Sequence, residues 1–324
     1  MSDDGLICAF SRSSDGQWRE IGWDEIVSWR PEGGLMWVHL DRSGERAQTY
    51  LKNESGLETL VHENLLAEET RPRAIEIDGN LLINLRGVNL NPGANPEDMV
   101  SVRVWTEPNR IITSRHRPLM AVNDIREQIS RGRGPKKEGD FLIMLADRLV
   151  ARMAPVLEGL DEAEDDLEDE MVMGGRNEVR TKLAEIRRQA IGLRRYLSPQ
   201  REALSLVQGV PLEWLDVGQK SRLREISDRI VRYVEDLDAI RERAAIIQDE
   251  VANRVSEQIN TNMYRLAIVA TVMLPLGLLT GLLGINVDGM PGSKDTPWAF
   301  GMVTGLLFVL IFLEILIMRK LKWL

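Results

Sequence analysis

The sequence predicts an α/β domain followed by long helices and two C-terminal transmembrane helices. Strand and helix signals alternate as far as about residue 139, whereas the apolar periodicity from Asp140 onward is almost purely helical. Two apolar runs near the end of the chain are long enough to cross a bilayer. Nearly all of the charge precedes Arg265, so we expect the two ends of the chain to lie in different solvents.

The composition excludes several classes of function. The 324 residues carry a net charge of -9, so no basic excess is available to neutralise nucleic-acid phosphates. No phosphate-binding glycine-rich lysine motif, Ser/His/Asp set or Cys/His zinc-ligand spacing is recognisable, and we therefore expect neither an enzyme nor a resident cofactor. The single cysteine, Cys8, cannot form an internal disulfide, which fits a reducing compartment.

Residues 1–139 are predicted to form a cytoplasmic α/β domain. The first part of the chain lacks the basic flank and apolar stretch of a signal peptide, so we expect the amino terminus to stay in the cytoplasm. Turn signals at Asp78-Gly79 and Glu107-Pro108-Asn109 separate β-type runs, and RGRGPKKEG marks the end of the domain. Strands are predicted at 35–40, 74–88 and 100–114, and helices at 24–29, 56–69 and 120–130.

Residues 140–218 are predicted to form a cytoplasmic helical hairpin. The arm at 140–173 ends in the acidic stretch LEGLDEAEDDLEDE, the arm at 176–205 is rich in arginine, and Gly174-Gly175 forms the turn between them. Two interpretations of this charge separation stay open. Either the arms neutralise each other on solvated faces, or the acidic arm attracts cations from the cytoplasm.

Residues 219–285 are predicted to form one stalk helix that continues as the first transmembrane helix. No proline interrupts the helical pattern before Pro275, which either kinks the helix passively or acts as a hinge. Apolar residues recur three and four apart, as a coiled-coil-like seam requires, at Leu223, Ile226, Ile230, Tyr233, Leu237, Ile240, Ala244, Ile247, Val251, Val255 and Ile259.

Two membrane spans follow from the apolar runs at 266–285 and 298–318. A periplasmic loop at 286–297 separates them, and 298–324 comprises the second transmembrane helix with a basic cytoplasmic tail. Glu314 within the second span either pairs with a basic tail residue, reaches the interface or couples transport to protons. The positive-inside rule predicts an inner-membrane protein with both termini in the cytoplasm, from Arg265, Arg319, Lys320 and Lys322.

One face of the first span is rich in small residues and has two readings. Small residues let helices pack closely, or they line a pore. Polar residues at its two ends, Asn260 and Asn286, favour the pore, and since two spans cannot enclose one, a pore requires a homo-oligomer. The predicted lining residues, called the small-residue face below, are Asn260, Met263, Ala267, Ala270, Leu274, Gly277 and Gly281.

The outer end of this helix carries a family resemblance. Gly284-Ile285-Asn286, followed by Met290-Pro291, a second span and the tail RKLKWL, resembles the CorA superfamily of divalent-cation transporters. Ile285 stands where that family's Gly-Met-Asn signature has methionine. The context GINVDGMPG and the stretch ETRPRAIEIDGNLLINLRGVN resemble the ZntB zinc-transporter branch.

The resemblance implies a funnel-shaped homopentamer that moves divalent cations, Zn²⁺ foremost, into the cell, with proton coupling proposed for its relatives. It assigns the outer selectivity ring to Gly284, Ile285 and Asn286. Asp288 belongs to the outer mouth or is a solvated loop residue. Arg319, Lys320 and Lys322 either obey the positive-inside rule only or form a basic gate.

Two other functions stay open. The first is a magnesium or cobalt channel of the CorA type, because the sequence does not distinguish zinc from magnesium. The second is a membrane-anchored scaffold or sensor, for which the two spans would only be a tether.

Overall fold

The computed structural model describes residues 4–172, 177–284 and 298–320, which fall into two compact units, Met1–Gln248 and Asp249–Leu324. The strands are β1 (Leu6–Arg12), β2 (Trp18–Glu20), β3 (Met36–Asp41), β4 (Arg73–Ile77), β5 (Asn80–Gly87), β6 (Val100–Glu107) and β7 (Arg110–Arg115). The helices are α1 (Trp23–Ser28), α2 (Glu45–Thr49), α3 (Thr59–Leu66), α4 (Met120–Ser130), α5 (Glu138–Ala151), α6 (Ala154–Val172), α7 (Asn177–Gly209), α8 (Val217–Leu283) and α9 (Ala299–Lys320).

The first unit contains a seven-stranded sheet with the order β2-β1-β3-β7-β6-β5-β4. All neighbours are antiparallel except β3 and β7, which pair in parallel. Both predicted hairpin turns are confirmed: Asp78 and Gly79 have φ of 49° and 78°, and Asn109 has φ of 62°. Short polar residues and glycine tolerate this left-handed region, so the turns form where the sequence places them.

Helices cover both faces of the sheet. Leu82, Trp105 and Ile112 belong to the core under the α1–α3 side. On the other face, the rings of Trp37 and Phe141 of α5 lie 5.0 Å apart. Because helices cover both faces, β3, β5, β6 and β7 are buried along most of their length. Even polar residues of these strands, such as His39, Asn84 and Thr113, lie in the core.

The structure differs from the predicted secondary structure in several elements. The edge strand β2, its neighbour β1 and the short helix α2 were not predicted, since their short, mixed sequences lack a clear periodicity. The acidic arm is not one helix, because α5 ends at Ala151 and α6 begins at Ala154. Arg152 in this break donates two hydrogen bonds to Asp124, of 2.5 and 2.7 Å, which ties the chain to α4.

The unbroken helix that the sequence predicts is present as α8, which continues through Pro275. Most of the predicted seam is buried, but Tyr233 is only half-buried while Val234 beside it is covered. The burial ends at Val251, because Val255 and Ile259 are 38% and 53% exposed. The buried members are Leu223, Ile226, Ile230, Leu237, Ile240, Ala244, Ile247 and Val251.

Candidate functional site

In the second unit, the apolar stretches of α8 and α9 are largely left uncovered by the described chain. Leu266 and Leu274 of α8 are 71% and 75% exposed, and Phe308 of α9 is 69% exposed. Both α8 and α9 contain a stretch long and apolar enough to cross a membrane. Apolar surface on this scale requires lipid or other protein around it.

The small-residue face lies entirely on the exposed side of α8. Each of its seven residues is exposed, from Asn260 at one end to Gly281 at the other. The least covered large side chain of the face is Leu274. The other described parts of the chain therefore leave this face free.

A different face of α8 is partly shielded. Its residues recur three and four apart, and at 100° per residue they lie roughly opposite the small-residue face. Helix α9 has a corresponding partly shielded row. The shielded residues are Ile268, Val272, Pro275, Leu276 and Leu279 of α8, and Val303, Thr304, Leu307, Leu310, Ile311 and Glu314 of α9.

The glycines of the small-residue face are not explained by packing within the protomer. A Cβ atom added to Gly277 or Gly281 would meet no atom of another described segment within 4 Å. Close helix approach normally explains glycines in a transmembrane helix. Their surroundings therefore lie outside the described chain, as lipid, further copies or the contents of a pore.

Helix α8 ends close to the predicted selectivity ring. Gly284 follows the last helical residue, and its amide donates to the carbonyl of Thr280 at 3.0 Å. A Cβ on Gly284 would lie 3.1 Å from that same carbonyl oxygen, so the position is tight. Ile285, Asn286 and Asp288 lie outside the described residues.

The described charges of α9 do not pair with one another. Arg319 and Lys320 are exposed and form no salt bridge with a described carboxylate, and Lys322 lies outside the described residues. The Oε2 atom of Glu314 is covered and has no hydrogen-bond partner among the described residues. Pairing of Glu314 with Arg319 or Lys320 is therefore absent, and the carboxyl lies on the shielded side of α9.

The acidic arm of the first unit is neutralised partly by α8. Lys182 of the basic arm bridges Glu170 at 3.2 Å, which joins the two arms directly. Arg243 of α8 meets three carboxylates of α6: it bridges Asp161, approaches Glu164 at 3.0 Å and approaches Asp165 at 3.3 Å. These contacts favour mutual neutralisation over a cation-attracting surface for this part of the arm.

Glu164 is the buried member of this cluster. Its side chain is 1% exposed, and neither carboxylate oxygen accepts a hydrogen bond from a described group although Arg243 lies close. Burial raises the pKa of Glu164 to about 7, against the lowering effect of Arg243, and Asp161 and Asp165 add to the rise. The group therefore titrates near neutral pH.

Among the described residues, no group of three or more His, Cys, Asp or Glu side chains is arranged to hold a metal ion. His39 lies in the core, where its Nδ1 is 2.8 Å from Thr113 Oγ1. Burial, followed by the charges of Arg115 and Arg126, holds the pKa of His39 well below its ordinary value. A neutral core histidine of this kind stabilises the fold.

Similarity to known proteins covers nearly the whole chain. Residues 32–320 match the family model of the CorA-like Mg²⁺ transporter protein. The chain belongs to the CorA family. This CorA-family chain is 38% identical to the divalent cation transporter CmaX of Pseudomonas aeruginosa, over 99% of this chain and 97% of that protein.

A second relative of this CorA-family chain carries a more specific name. The zinc transport protein ZntB of Pectobacterium carotovorum subsp. carotovorum is 33% identical, over 99% of this chain and 96% of that protein. The solved structure of the full-length CmaX protein matches with a TM-score of 0.86 at 36% identity and covers 100% of this chain and 99% of that one. The predicted family and fold class are thereby confirmed, and the chain is a divalent cation transporter.

Two buried charged groups were not found from the sequence, and only one of them left a signal. Glu164 replaces the apolar residue that the spacing of Leu157, Leu160 and Leu167 leads one to expect. Arg103 alternates with Val102 and Val104 in β6, so the period-two pattern places it on the polar face of the strand and does not reveal its burial. Only Glu164 occupies a position that the sequence pattern assigns to the core.

Proposed function

We propose that this CorA-family chain forms a homopentamer that carries Zn²⁺ into the cell across the inner membrane, with both termini in the cytoplasm. The observation that carries the proposal is the small-residue face of α8. It is exposed, it lies opposite the shielded face, and a Cβ on Gly277 or Gly281 would meet no atom of another described segment. Five such faces around one axis would form a continuous lining.

The proposed lining suits passage of a hydrated cation. Ala267, Ala270, Gly277 and Gly281 add little bulk, so a water-filled path remains between neighbouring helices. At the outer end, Gly284, Ile285 and Asn286 would form the selectivity ring, with Asp288 at the mouth. A neutral amide oxygen can meet a hydrated ion and release it, whereas a carboxylate ring would hold a dication more tightly.

The membrane potential supplies the driving force in this proposal. A potential of 100 mV, negative inside, is worth about 2.3 kcal/mol per charge, so a dication moving inward gains about 4.6 kcal/mol. Uptake therefore proceeds without a nucleotide. If the tails collect around the inner mouth, Arg319, Lys320 and Lys322 form a basic collar that opposes cation passage and serves as the gate.

Zinc is the preferred cargo because one relative, which matches over 99% of this chain, is named a zinc transport protein. The description of the family model names Mg²⁺ instead, which makes a magnesium or cobalt channel the second candidate. Proton coupling has one structural candidate in the described spans, Glu314, whose Oε2 is covered and has no hydrogen-bond partner among the described residues.

The test is ion uptake into proteoliposomes that contain the purified full-length protein. Zn²⁺ and Mg²⁺ influx are followed with ion-sensitive dyes while the voltage and the pH gradient are varied separately. The proposal expects Zn²⁺ flux to exceed Mg²⁺ flux, and Asn286→Ala to reduce flux at equal protein density. The matched control is Asn177→Ala, which changes an asparagine of α7 in the first unit.

Each alternative has its own result. Mg²⁺ flux above Zn²⁺ flux would select the magnesium channel. A protein that remains monomeric in native membranes, or that passes neither ion, would overturn transport through a pore and leave the scaffold or sensor. Zn²⁺ flux that ignores the pH gradient at fixed voltage would exclude proton coupling while leaving uptake intact.

A further inference from the structure

A cavity of about 670 Å³ in the first unit is lined by an excess of arginine. It lies between β5, β6, the segment after α3 and one side of α7. Its walls contain the carboxylates Glu68, Glu69 and Asp98, all of which are exposed. The lining arginines are Arg42, Arg71, Arg86, Arg103, Arg117 and Arg195. Six arginines and three carboxylates leave the lining with a net charge of +3.

Arg103 is the deepest of these arginines and is fully buried. Its Nη2 donates to the carbonyl of Ala67 at 2.5 Å and to that of Glu68 at 3.3 Å. Its Nε and Nη1 are covered but have no partner among the described residues. Burial, with the nearby charges of Arg42 and Arg86, lowers the pKa of Arg103 to about 10, so the guanidinium stays charged at neutral pH.

Arg86 is held in a fixed orientation beside it. Its Nε and Nη2 donate to the carbonyl of Thr70 at 3.2 and 2.8 Å, and its Nη1 donates to that of Met99 at 2.6 Å. The guanidinium lies 4.1 Å from the centre of the Tyr196 ring. Arg86 is therefore preorganised, and it forms no salt bridge with a described carboxylate, although the charge of Glu69 acts on it.

The charge of this cavity is only partly compensated by the described chain. None of the six arginines forms a salt bridge with a described carboxylate. The Nε of Arg42 is likewise covered and without a partner. Removal of an ionised guanidinium from water is energetically costly unless an anion faces it. A cavity that keeps such groups and remains open is suited to an anion from solution.

We propose that this cavity binds the phosphate groups of a small anion. The guanidinium fork matches two phosphate oxygens, and Arg103 still has two unused donors for them. The volume lies in the range of small-ligand sites and exceeds that of a single phosphate. Cation transport does not enter this proposal, since the cavity is formed by residues of the first unit alone.

The test measures binding of sodium pyrophosphate and of ADP to the full-length protein by calorimetry. Divalent cations are removed and chloride is replaced by gluconate, so that metal complexes and competing anions do not interfere. Both probes are expected to bind at millimolar concentration or below. Arg103→Met should weaken binding at least about 30-fold, as loss of one buried partner in a charge pair does.

The matched control is Arg115→Met on the neighbouring strand β7. Arg115 is 8% exposed and its Nε is also unpartnered, but it does not line the cavity, so binding should be unchanged. If Arg103→Met does not fold, Arg195→Met at the exposed rim provides the second variant. It is expected to lower affinity by a smaller factor of about 3 to 10, and to reduce the salt dependence of binding.

The two probes distinguish the source of the phosphate. Equal affinity for pyrophosphate and ADP would assign the site to phosphate groups alone, whereas tighter binding of ADP would show that the nucleoside also occupies the cavity. Absence of binding for both probes, or unchanged affinity in both Arg103→Met and Arg195→Met, would overturn the proposal. Neither result depends on ion flux.

Discussion

Glu164 should make the first unit more stable as the pH falls. Its pKa is raised from the ordinary 4.5 to about 7, chiefly by burial. The folded protein therefore binds a proton that the unfolded chain releases between these two values. Stability is lost as the pH rises through this window and is regained on acidification. The charges that face the carboxyl are Asp161, Asp165 and Glu168 on α6 and Arg243 on α8.

The size of the effect follows from the two pKa values. One unit of pKa difference corresponds to 1.36 kcal/mol, so ionised Glu164 costs the folded state roughly 3 kcal/mol well above pH 7. When the pH falls from 8 to 5, the linkage relation predicts that the free energy of unfolding rises by about 2.5 kcal/mol. For a unit of this size that change corresponds to a shift of roughly 5 to 10 °C in the midpoint of thermal unfolding.

The assay compares thermal unfolding of the full-length protein with that of Glu164→Gln at several pH values. The wild type should gain roughly 5 to 10 °C relative to the variant when the pH falls from 8 to 5. Glu158→Gln, an exposed carboxylate of the same helix, is the control and should follow the wild type. Parallel profiles for wild type and Glu164→Gln would refute the reasoning, because the carboxyl would then titrate as it does in water.

Three further predictions concern α8, α9 and the segment before β3. Gly281→Leu should leave the protomer folded, since the added atoms enter open space. If the small-residue face lines the pore, the same substitution should reduce Zn²⁺ influx at least about tenfold. Unchanged influx would exclude this face from the ion path. Glu314→Gln should abolish the dependence of influx on the pH gradient but keep its dependence on voltage, and a retained pH response would exclude Glu314 as the coupling group. Gly34→Ala should lower the free energy of unfolding by about 1–3 kcal/mol, measured by denaturant titration. The reason is that Gly34 has φ of 90° and that a Cβ at this position would collide with the Arg12 carbonyl. Equal stability of variant and wild type would contradict this clash.

Secondary structure was predictable where the signal is local and strong. The hairpin turns at Asp78-Gly79 and Asn109 and the unbroken helix α8 follow from residues that are neighbours in sequence. The break between α5 and α6 was not predictable in this way, because Arg152 is held by Asp124 of a different helix. Short edge strands such as β2 gain their conformation from the adjacent strand.

The sequence alone predicted which residues of the candidate site share a helix face, but not whether that face is covered. The spacing of small residues in the first span placed all seven residues of the small-residue face on one side of α8, since helical periodicity alone fixes which residues share a face. Whether that side is covered depends on the position of other helices. The exposed glycines Gly277 and Gly281 became informative only when the surrounding space was known.

The sequence by itself determined the family, the α/β start of the chain, the long helix and the two apolar spans. These rest on periodicity, on the length of apolar runs and on the Gly284-Ile285-Asn286 segment, all of which are local properties. Only the tertiary structure decided that Glu164 meets Arg243 and that Arg103 is buried without an anion. Burial and charge pairing join residues that are distant in sequence, so their energies exist only once the chain has folded.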